Sequence, residues 1–231
     1  GKLQQLKLAA LGRLSASIAH EIRNPVGAMS HAAQLLAESS DLDDGDRRLV
    51  EIVRTNAARV SEIIDNVQSM SRREPMRAEQ FVLGPWLQEF RTEFCATLPC
   101  PTERVQVHEE TTDLEVRCDR SQLRQIVWNL ADNALKHNGD SPGPIELRAG
   151  RLASAQRPYL EVAARGNGIP ESLVERIFEP FVTSAPRGTG LGLFLARELA
   201  QANGATLIYE PRPGGGSLFR LVFSDPLRWR A

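Results

Sequence analysis

Residues 20–25, which read His-Glu-Ile-Arg-Asn-Pro, combine groups that can carry out phosphoryl chemistry. The His20 imidazole is a nucleophile, Glu21 beside it can take up or orient a ring proton, and Asn24 lies one helical turn further along the same face. Pro25 removes a backbone hydrogen bond inside a helical pattern and would kink the helix. These residues predict a phosphoryl acceptor at His20, and an ordinary polar surface histidine remains the alternative.

Residues 120–137 form a second candidate site on a predicted helix. Asn129, Asn133, Lys136 and His137 follow one another at spacings of four, three and one, so they share a helical face. Amide oxygens are suitable ligands for Mg²⁺, and an ammonium group binds phosphate. A solvated helix face is the alternative interpretation, but two asparagines are poor helix formers. The pattern therefore favours a binding face for a metal and phosphate groups.

Two glycine-rich segments, residues 165–170 and 187–193, flank a Phe-Glu-Pro-Phe sequence at 178–181. Glycines let a backbone approach phosphate groups closely, and the second segment opens a predicted helix whose N-terminus favours anions. One glycine run would be a weak signal, but two such segments around a predicted lid at 182–188 indicate a nucleotide pocket. The order of residues excludes a Rossmann dinucleotide motif and a P-loop.

The composition indicates which classes of protein are compatible with these candidate sites. The chain has 231 residues, of which 42% are apolar and 25% charged, and 28 basic against 29 acidic residues give a net charge of −1. These values are typical of a globular protein and exclude a basic surface that coats nucleic acid. Three cysteines without metal-ligand spacing indicate reduced thiols. The longest uncharged, moderately apolar stretch, residues 26–37, is too short to span a membrane.

The periodicity changes sharply at Pro75. Residues 1–74 carry two helical apolar stripes joined by a turn-rich segment at 39–46, which predicts a helical hairpin. A lone hairpin cannot bury both stripes, so we expect dimerisation into a four-helix bundle; packing against the second domain alone is the alternative. Beyond Pro75, six short alternating runs interleave with helical runs, which predicts an α+β layer with helices on one face of a sheet. Pro75 marks the predicted hinge.

In this order, the motifs resemble the catalytic core of a bacterial two-component sensor histidine kinase. Within that family, residues 11–25 and 30–36 are most similar to the kinases of type IV pilus and nitrogen regulation. The matching segments are residues 8–36 for the phosphoacceptor helix, 119–137 for the asparagine box, 164–170 and 187–193 for the two glycine boxes, 178–181 for the phenylalanine box and 214–223 for the closing strand.

The resemblance implies two domains: residues 1–74 for dimerisation and histidine phosphoacceptance, and residues 75–231 as a Bergerat-type α+β sandwich that binds ATP with Mg²⁺. It implies transfer of the γ-phosphoryl group to His20 within a homodimer and then to an aspartate of a response regulator. Glu21 would be the base for His20, and Asn24 would orient water during dephosphorylation of the regulator.

The resemblance also assigns the nucleotide site. Asn133 would ligate Mg²⁺, with Asn129 nearby, and Lys136 and His137 would face the phosphates or the ribose. The remaining residues of the implied pocket and lid are Ala164, Gly166, Gly168, Arg187, Gly188, Thr189, Gly190, Leu191 and Gly192. Since the chain starts at Gly1 in a helical pattern, we expect it to be the cytoplasmic part of an inner-membrane protein whose membrane spans lie upstream.

Ala164 departs from the family pattern, which has an aspartate here that accepts a hydrogen bond from the adenine amino group. Loss of a hydrogen bond to a charged group costs about 1.5–3 kcal/mol, so we expect weakened ATP binding. The alanine is either natural decay or an introduced substitution, and the otherwise intact motifs favour the second. The alternative function is a non-enzymatic or phosphatase-only signalling module that binds a response regulator without ATP turnover. A relative of the gyrase and heat-shock ATPases would leave residues 20–25 unexplained.

Overall fold

The computed structural model describes residues 21–39, 42–71, 76–98, 101–137, 143–153, 155–185 and 188–226. The chain divides between Glu74 and Pro75 into two compact units, and Ala185–Leu191 group with the first unit. Of the residues named above, His20, Pro75, Arg187 and the apolar positions before residue 21 lie outside the described residues. None of the described helices is both long and apolar enough to cross a bilayer.

The first unit contains two helices, α1 over residues 21–37 and α2 over Asp44–Ser71. The α1 helix continues through Pro25. The turn before α2 supplies its N-cap, because the Asp43 carboxylate accepts a hydrogen bond from the backbone N–H of Asp46 (2.8 Å). The acidic residues Asp44 and Asp46 in the first turn favour the positive end of the helix dipole.

The second unit is built on a mixed sheet covered by three helices. Its elements are β1 (Glu79–Val82), α3 (Leu83–Thr97), β2 (Val105–Glu109), β3 (Glu115–Cys118), α4 (Arg120–His137), β4 (Ile145–Arg151), β5 (Pro158–Ala164), α5 (Glu171–Val174), α6 (Gly192–Ala202), β6 (Thr206–Pro211) and β7 (Ser217–Val222). The strands of the main sheet run in the order β2-β4-β5-β7-β6, with β2 and β4 parallel and the other neighbours antiparallel. Strands β1 and β3 form a separate two-stranded sheet.

Strand alternation explains why the sheet has one apolar and one charged face. On β5, Leu160, Val162 and Ala164 belong to the buried core under the helices. The intervening Glu161 is on the opposite face, where Arg220 of β7 donates a hydrogen bond to its carboxylate (2.6 Å). The prediction of an α+β layer with helices on one face is therefore confirmed.

Aromatic residues fill the core beneath α3 and α4. Phe90 stacks on Phe94 with ring centroids 5.5 Å apart, and Trp128 meets both rings edge-on at 6.3 and 4.9 Å. Burial of each large ring is worth a few kcal/mol of transfer free energy. This packing joins α4, which carries the candidate asparagines, to α3.

Candidate nucleotide and phosphoacceptor sites

A pocket lies between the C-terminal half of α4 and the adjoining ends of β5 and β7. Its enclosed volume is about 20 Å³, which is room for about one water molecule. The lining residues are Asn133, Ala134, His137, Val162, Ala164, Arg165, Gly168, Gly216, Ser217 and Phe219.

Helix α4 is fixed at its start by Asp119, which is only 8% exposed. One carboxylate oxygen accepts hydrogen bonds from the Ser121 backbone N–H (2.9 Å) and hydroxyl (2.6 Å), and the other accepts one from the backbone N–H of Arg77 (2.9 Å). Burial alone would raise the pKa of Asp119, but these hydrogen bonds and one from Gln122 hold that pKa below its ordinary value. The carboxylate therefore stays charged and caps the helix.

The two asparagines of α4 have different surroundings. Asn133 lines the pocket, whereas Asn129 lies beside the first residue of α6, with its side chain 3.9 Å from where a Cβ on Gly192 would be. The amide nitrogen of Asn129 is buried, and no described residue accepts a hydrogen bond from it. A buried, unpaired amide at a helix N-terminus is a group suited to a ligand oxygen.

The last turn of α4 places its two basic residues differently. His137 lines the pocket, and partial desolvation lowers its pKa; Lys136 lowers it further, while Asp132 acts in the opposite direction. The neutral imidazole can therefore both donate and accept a hydrogen bond at pH 7. The Lys136 ammonium forms an ion pair with Asp132 one turn earlier (2.6 Å) and does not line the pocket.

The end of β5 forms the opposite wall of the pocket. Ala164 is 5% exposed and pairs with Ser217 of β7. A Cβ on Gly216 would lie 2.0 Å from the Ala164 carbonyl oxygen, and Gly216 has a φ of +114°, so this position requires glycine. Gly168 has a φ of +69° and packs against the Gly216 carbonyl. Close approach of the two backbones leaves room for no side chain at Gly216, while Val162, Ser217 and Phe219 line the rest of this wall.

Sequence reasoning did not assign Gly216, Ser217 or Phe219 to the pocket. The sequence signal for these pocket residues was the run of three glycines at 214–216, but the sequence analysis assigned that run only to the closing strand. Phe219 also contacts the Phe178 ring (centroids 6.3 Å apart) from the phenylalanine segment. The pocket therefore depends on β7 as much as on α4 and β5.

The second glycine segment is described from Gly188 onward. Gly190 has a φ of +68°, which only glycine adopts readily, and Thr189 and Leu191 are buried. Residues 185–191 group with the hairpin unit, in which the Thr189 hydroxyl donates a hydrogen bond to Glu62 of α2 (3.3 Å). Gly192 is the first residue of α6 in the other unit.

At the candidate phosphoacceptor site, the structure describes the residues that follow His20. Glu21 and Asn24 are both exposed on α1, within reach of a partner or substrate. Arg23 between them donates hydrogen bonds from Nη2 to Asp65 (2.7 Å) and Gln68 (2.8 Å) of α2. The two acceptors lie three residues apart, on one face of α2.

The donor set near the pocket fits ATP with Mg²⁺. Among the described residues, no group of three or more histidines, cysteines and acidic residues is arranged to hold a metal ion. Mg²⁺ commonly needs few protein ligands, because it keeps several waters and takes further oxygens from substrate phosphates. The Asn133 amide in the pocket would supply one ligand, and the buried Asn129 amide, which has no acceptor among the described residues, would donate to a phosphate oxygen.

Comparison with known proteins assigns both units to one class. Residues 10–75 match the model of the His Kinase A (phospho-acceptor) domain, and residues 118–227 match that of the histidine kinase-, DNA gyrase B- and HSP90-like ATPase. The two matches occur in the order that a histidine kinase requires. The chain belongs to the sensor histidine kinase family.

Among curated relatives, the sensor protein kinase PilS of Pseudomonas aeruginosa is 43% identical over 225 residues, which is 96% of this chain and 42% of PilS. The full-length structure of ShkA in complex with AMPPNP has a TM-score of 0.64 at 22% identity and covers 91% of this chain and 45% of ShkA. The structure of ThkA with the response regulator protein TrrA has a TM-score of 0.67 at 24% identity, and the match covers 95% of this chain and 63% of that one. The chain spans less than half the length of PilS.

The hairpin and the α/β sandwich predicted from the sequence are confirmed, as is the membership of the histidine kinase family near PilS. The assignments of individual residues to acceptor, base, metal and nucleotide roles stay predictions.

Proposed function

We propose that this chain is the core of a sensor histidine kinase that phosphorylates His20 from ATP and passes the phosphoryl group to an aspartate of a response regulator. Residues 1–74 would form the dimerisation and phosphoacceptor domain, and residues 75–231 the ATP-binding domain. The observation that carries the proposal is the face of α4: Asn133 lines the pocket, and the buried Asn129 amide beside Gly192 has no described partner.

In the proposed reaction, an imidazole nitrogen of His20 attacks the γ-phosphorus of ATP. A phosphorus–nitrogen bond forms as the bond to the bridging oxygen of ADP breaks, and the ring proton passes to the Glu21 carboxylate. Mg²⁺, when bound, offsets negative charge on the phosphates. Asn133 would hold the metal and Asn129 a phosphate oxygen, while the exposed Asn24 would orient water for dephosphorylation of the regulator.

A homodimer follows from the surface of the hairpin. Eight large apolar side chains of α1 and α2 are at least 36% exposed, among them Leu35 (55%), Leu49 (61%) and Ile52 (50%). A second hairpin can bury these side chains in a four-helix bundle, at about 25 cal/mol for each Å² removed from water. The response regulator is proposed from the reaction and from the ThkA complex with TrrA. Since ATP and the regulator must both reach this core, we place it in the cytoplasm, joined upstream to the rest of an inner-membrane protein.

Ala164 is the residue that puts the rate of this reaction in question. Its methyl group lines the pocket and has no hydrogen-bonding atom for a base. We therefore propose weakened ATP binding, and the second candidate function is a phosphatase-only or non-enzymatic module that binds a response regulator without ATP turnover. Type IV pilus regulation is the proposed biological setting, by similarity to PilS.

The test compares the chain with its Ala164→Asp and Ala164→Asn variants in Mg²⁺ and γ-labelled ATP. We expect acid-labile, base-stable label that disappears in His20→Ala, and an affinity for ATP that rises about ten- to a hundred-fold with aspartate. Asparagine, which is uncharged but nearly the same size, should give a smaller gain. Equal labelling of all three would show that the alanine is tolerated. No label on any of them, with normal folding, would favour the second candidate function.

A further inference from the structure

The described part of α1 is joined to α2 by one arginine. The Nη2 atom of Arg23 donates to Asp65 Oδ1 at 2.7 Å and to Gln68 Oε1 at 2.8 Å. The carboxylate supplies charge, and the amide oxygen supplies a second acceptor for the same Nη2 group. Arg23 lies between the exposed Glu21 and Asn24, which have the roles of base and water-positioning group in the proposed function.

Among the described residues of the hairpin, the buried apolar contacts do little to fix how α1 is rotated against α2. Its buried apolar residues include two alanines, Ala33 and Ala57, together with Val26 and Ile64. Alanines present a nearly smooth helix surface, which specifies rotation and sliding less well than interlocking large side chains. A rotation by one residue turns a helix by about 100°, so a small error in register moves a side chain to another face. Polar contacts are the established means of specifying register in such pairs.

We propose that Arg23 is a positioning residue, whose hydrogen bonds to Asp65 and Gln68 set the rotation of α1 that presents the phosphoacceptor turn to the ATP-binding domain and the regulator. This inference rests on the proposed function, because it takes His20 as the acceptor. His20 precedes Arg23 by three residues, which is one helical turn if the predicted helix continues. A turn fixed at Arg23 therefore orients Glu21 and Asn24 together, and in the proposed function His20 directly precedes Glu21.

Because the ion pair of Arg23 with Asp65 is exposed to solvent, its effect on positioning can be measured apart from any effect on stability. The side chains of Arg23 and Asp65 are 37% and 64% exposed. Ion pairs with this much solvent contribute little to the free energy of unfolding, so their removal should leave the hairpin folded. The effect should instead fall on the reaction, because displacement of a reacting group by about 1 Å can cost on the order of a hundred-fold in rate.

The experiment measures autophosphorylation and phosphotransfer for Arg23→Gln, Asp65→Asn and Gln68→Met, each in the native chain and with Ala164→Asp. We expect the rate of labelling at saturating ATP to fall about tenfold or more while the KM for ATP stays within about twofold. Arg23→Lys and the charge swap of Arg23→Asp with Asp65→Arg should recover part of the rate. The matched control is Arg54→Gln, which removes an ion pair within α2 (3.1 Å to Glu51) and should leave the rate unchanged.

A second measurement needs no ATP. The imidazole ¹H–¹³C resonance of His20, assigned by its loss in His20→Ala, should be single and narrow in the native chain. It should broaden or split in Arg23→Gln and narrow again in the charge swap, but not change in Arg54→Gln.

These readouts separate failure of the inference from failure of the proposed function. Unchanged labelling rates and an unchanged His20 resonance in Arg23→Gln would overturn the positioning role while leaving the kinase intact. Equal losses in Arg23→Gln and Arg54→Gln would overturn it as well, since the effect would be general to the hairpin. Absence of label from every variant would contradict the kinase function, and the His20 resonance alone would then decide whether Arg23 orients the turn.

Discussion

The hairpin and the ATP-binding unit differ in how completely each buries its own apolar surface. Among the described residues, ten large hydrophobic side chains are exposed, and eight of them are in α1 and α2. The ATP-binding unit instead encloses a continuous core that runs from Phe81 to Phe223. A unit with its own core can fold alone, whereas a hairpin with an exposed apolar face needs a second copy. The proposed homodimer would therefore form through the hairpin, whereas the residues that line the pocket all come from the ATP-binding unit of one chain.

The largest effect should come from placing charge on the exposed apolar face of the hairpin. Leu49→Glu together with Ile52→Glu should abolish the dimer, because four carboxylates would have to be buried or the interface opened. Sedimentation velocity should show a monomer, with near-ultraviolet circular dichroism of the ATP-binding unit unchanged. Arg47→Glu, on an exposed polar position of the same helix, is the control. A dimer that persists in the double variant would show that the exposed apolar face of the hairpin is not the dimer interface.

A second substitution tests whether the ATP-binding unit is rigid where β5 meets β7. Gly216→Ala should lower the free energy of unfolding by about 2–4 kcal/mol and abolish nucleotide binding, because the new Cβ would meet the Ala164 carbonyl at 2.0 Å in a backbone that disfavours side chains. Gly214→Ala is the matched control, because Gly214 also has a positive φ (+83°) but a Cβ built there would have no atom within 4 Å. It should cost only about 1 kcal/mol.

Urea unfolding followed by tryptophan fluorescence measures both glycine variants, since Trp86 and Trp128 report on the second unit. Equal costs for Gly216→Ala and Gly214→Ala would mean that β5 and β7 can separate, and that the pocket wall is not rigid.

The sequence predicted most of the fold because its signals are local. Of the seven strands in the described part of the chain, six showed apolar alternation, whereas β1 (Glu79–Val82) did not, since only one of its four side chains is buried. The four-residue α5 was missed for the same reason. Helix α4 was predicted at its observed bounds because its periodicity extends over 18 residues.

The site was predicted less completely because part of it is non-local. The shared face of Asn133 and His137 follows from helix periodicity, and both line the pocket. Gly216 reaches the same pocket only through the pairing of β5 with β7, which no spacing along the chain reveals. The sequence analysis assigned Lys136 to the phosphates or the ribose and did not predict its ion pair with Asp132, although an acid four residues before a lysine favours that contact.

The Asp119 cap tests how far the second unit relies on one charged group. Asp119→Ala should lower the free energy of unfolding of the ATP-binding unit by about 2 kcal/mol at pH 7. The substitution leaves the backbone N–H groups at the start of α4 and that of Arg77 without their acceptor. The folded-state pKa of Asp119 lies below the ordinary value of 3.8. Its contribution is therefore complete above that value and is lost as pH falls through the lower, folded-state pKa.

Unfolding curves between pH 2 and 7 for the native chain and Asp119→Ala should accordingly converge at the acid end. Ser121→Ala, which keeps the carboxylate, should cost less and retain the pH dependence. A difference between native chain and Asp119→Ala that does not change with pH would show that packing, and not charge, makes the cap.

The smallest effect concerns the reactivity of a thiol. Burial raises the pKa of Cys118 to about 12, with smaller contributions from Asp119 and Glu79 and an opposing one from Arg120. Very little thiolate is present at pH 8, so Cys118 should resist iodoacetamide in the folded protein and react once the ATP-binding unit unfolds. Peptide mass spectrometry across a urea series measures this. The double hairpin variant should leave the midpoint of Cys118 labelling unchanged, because a unit that encloses its own core does not need the dimer; a lower midpoint would mean that the two units are stabilised together.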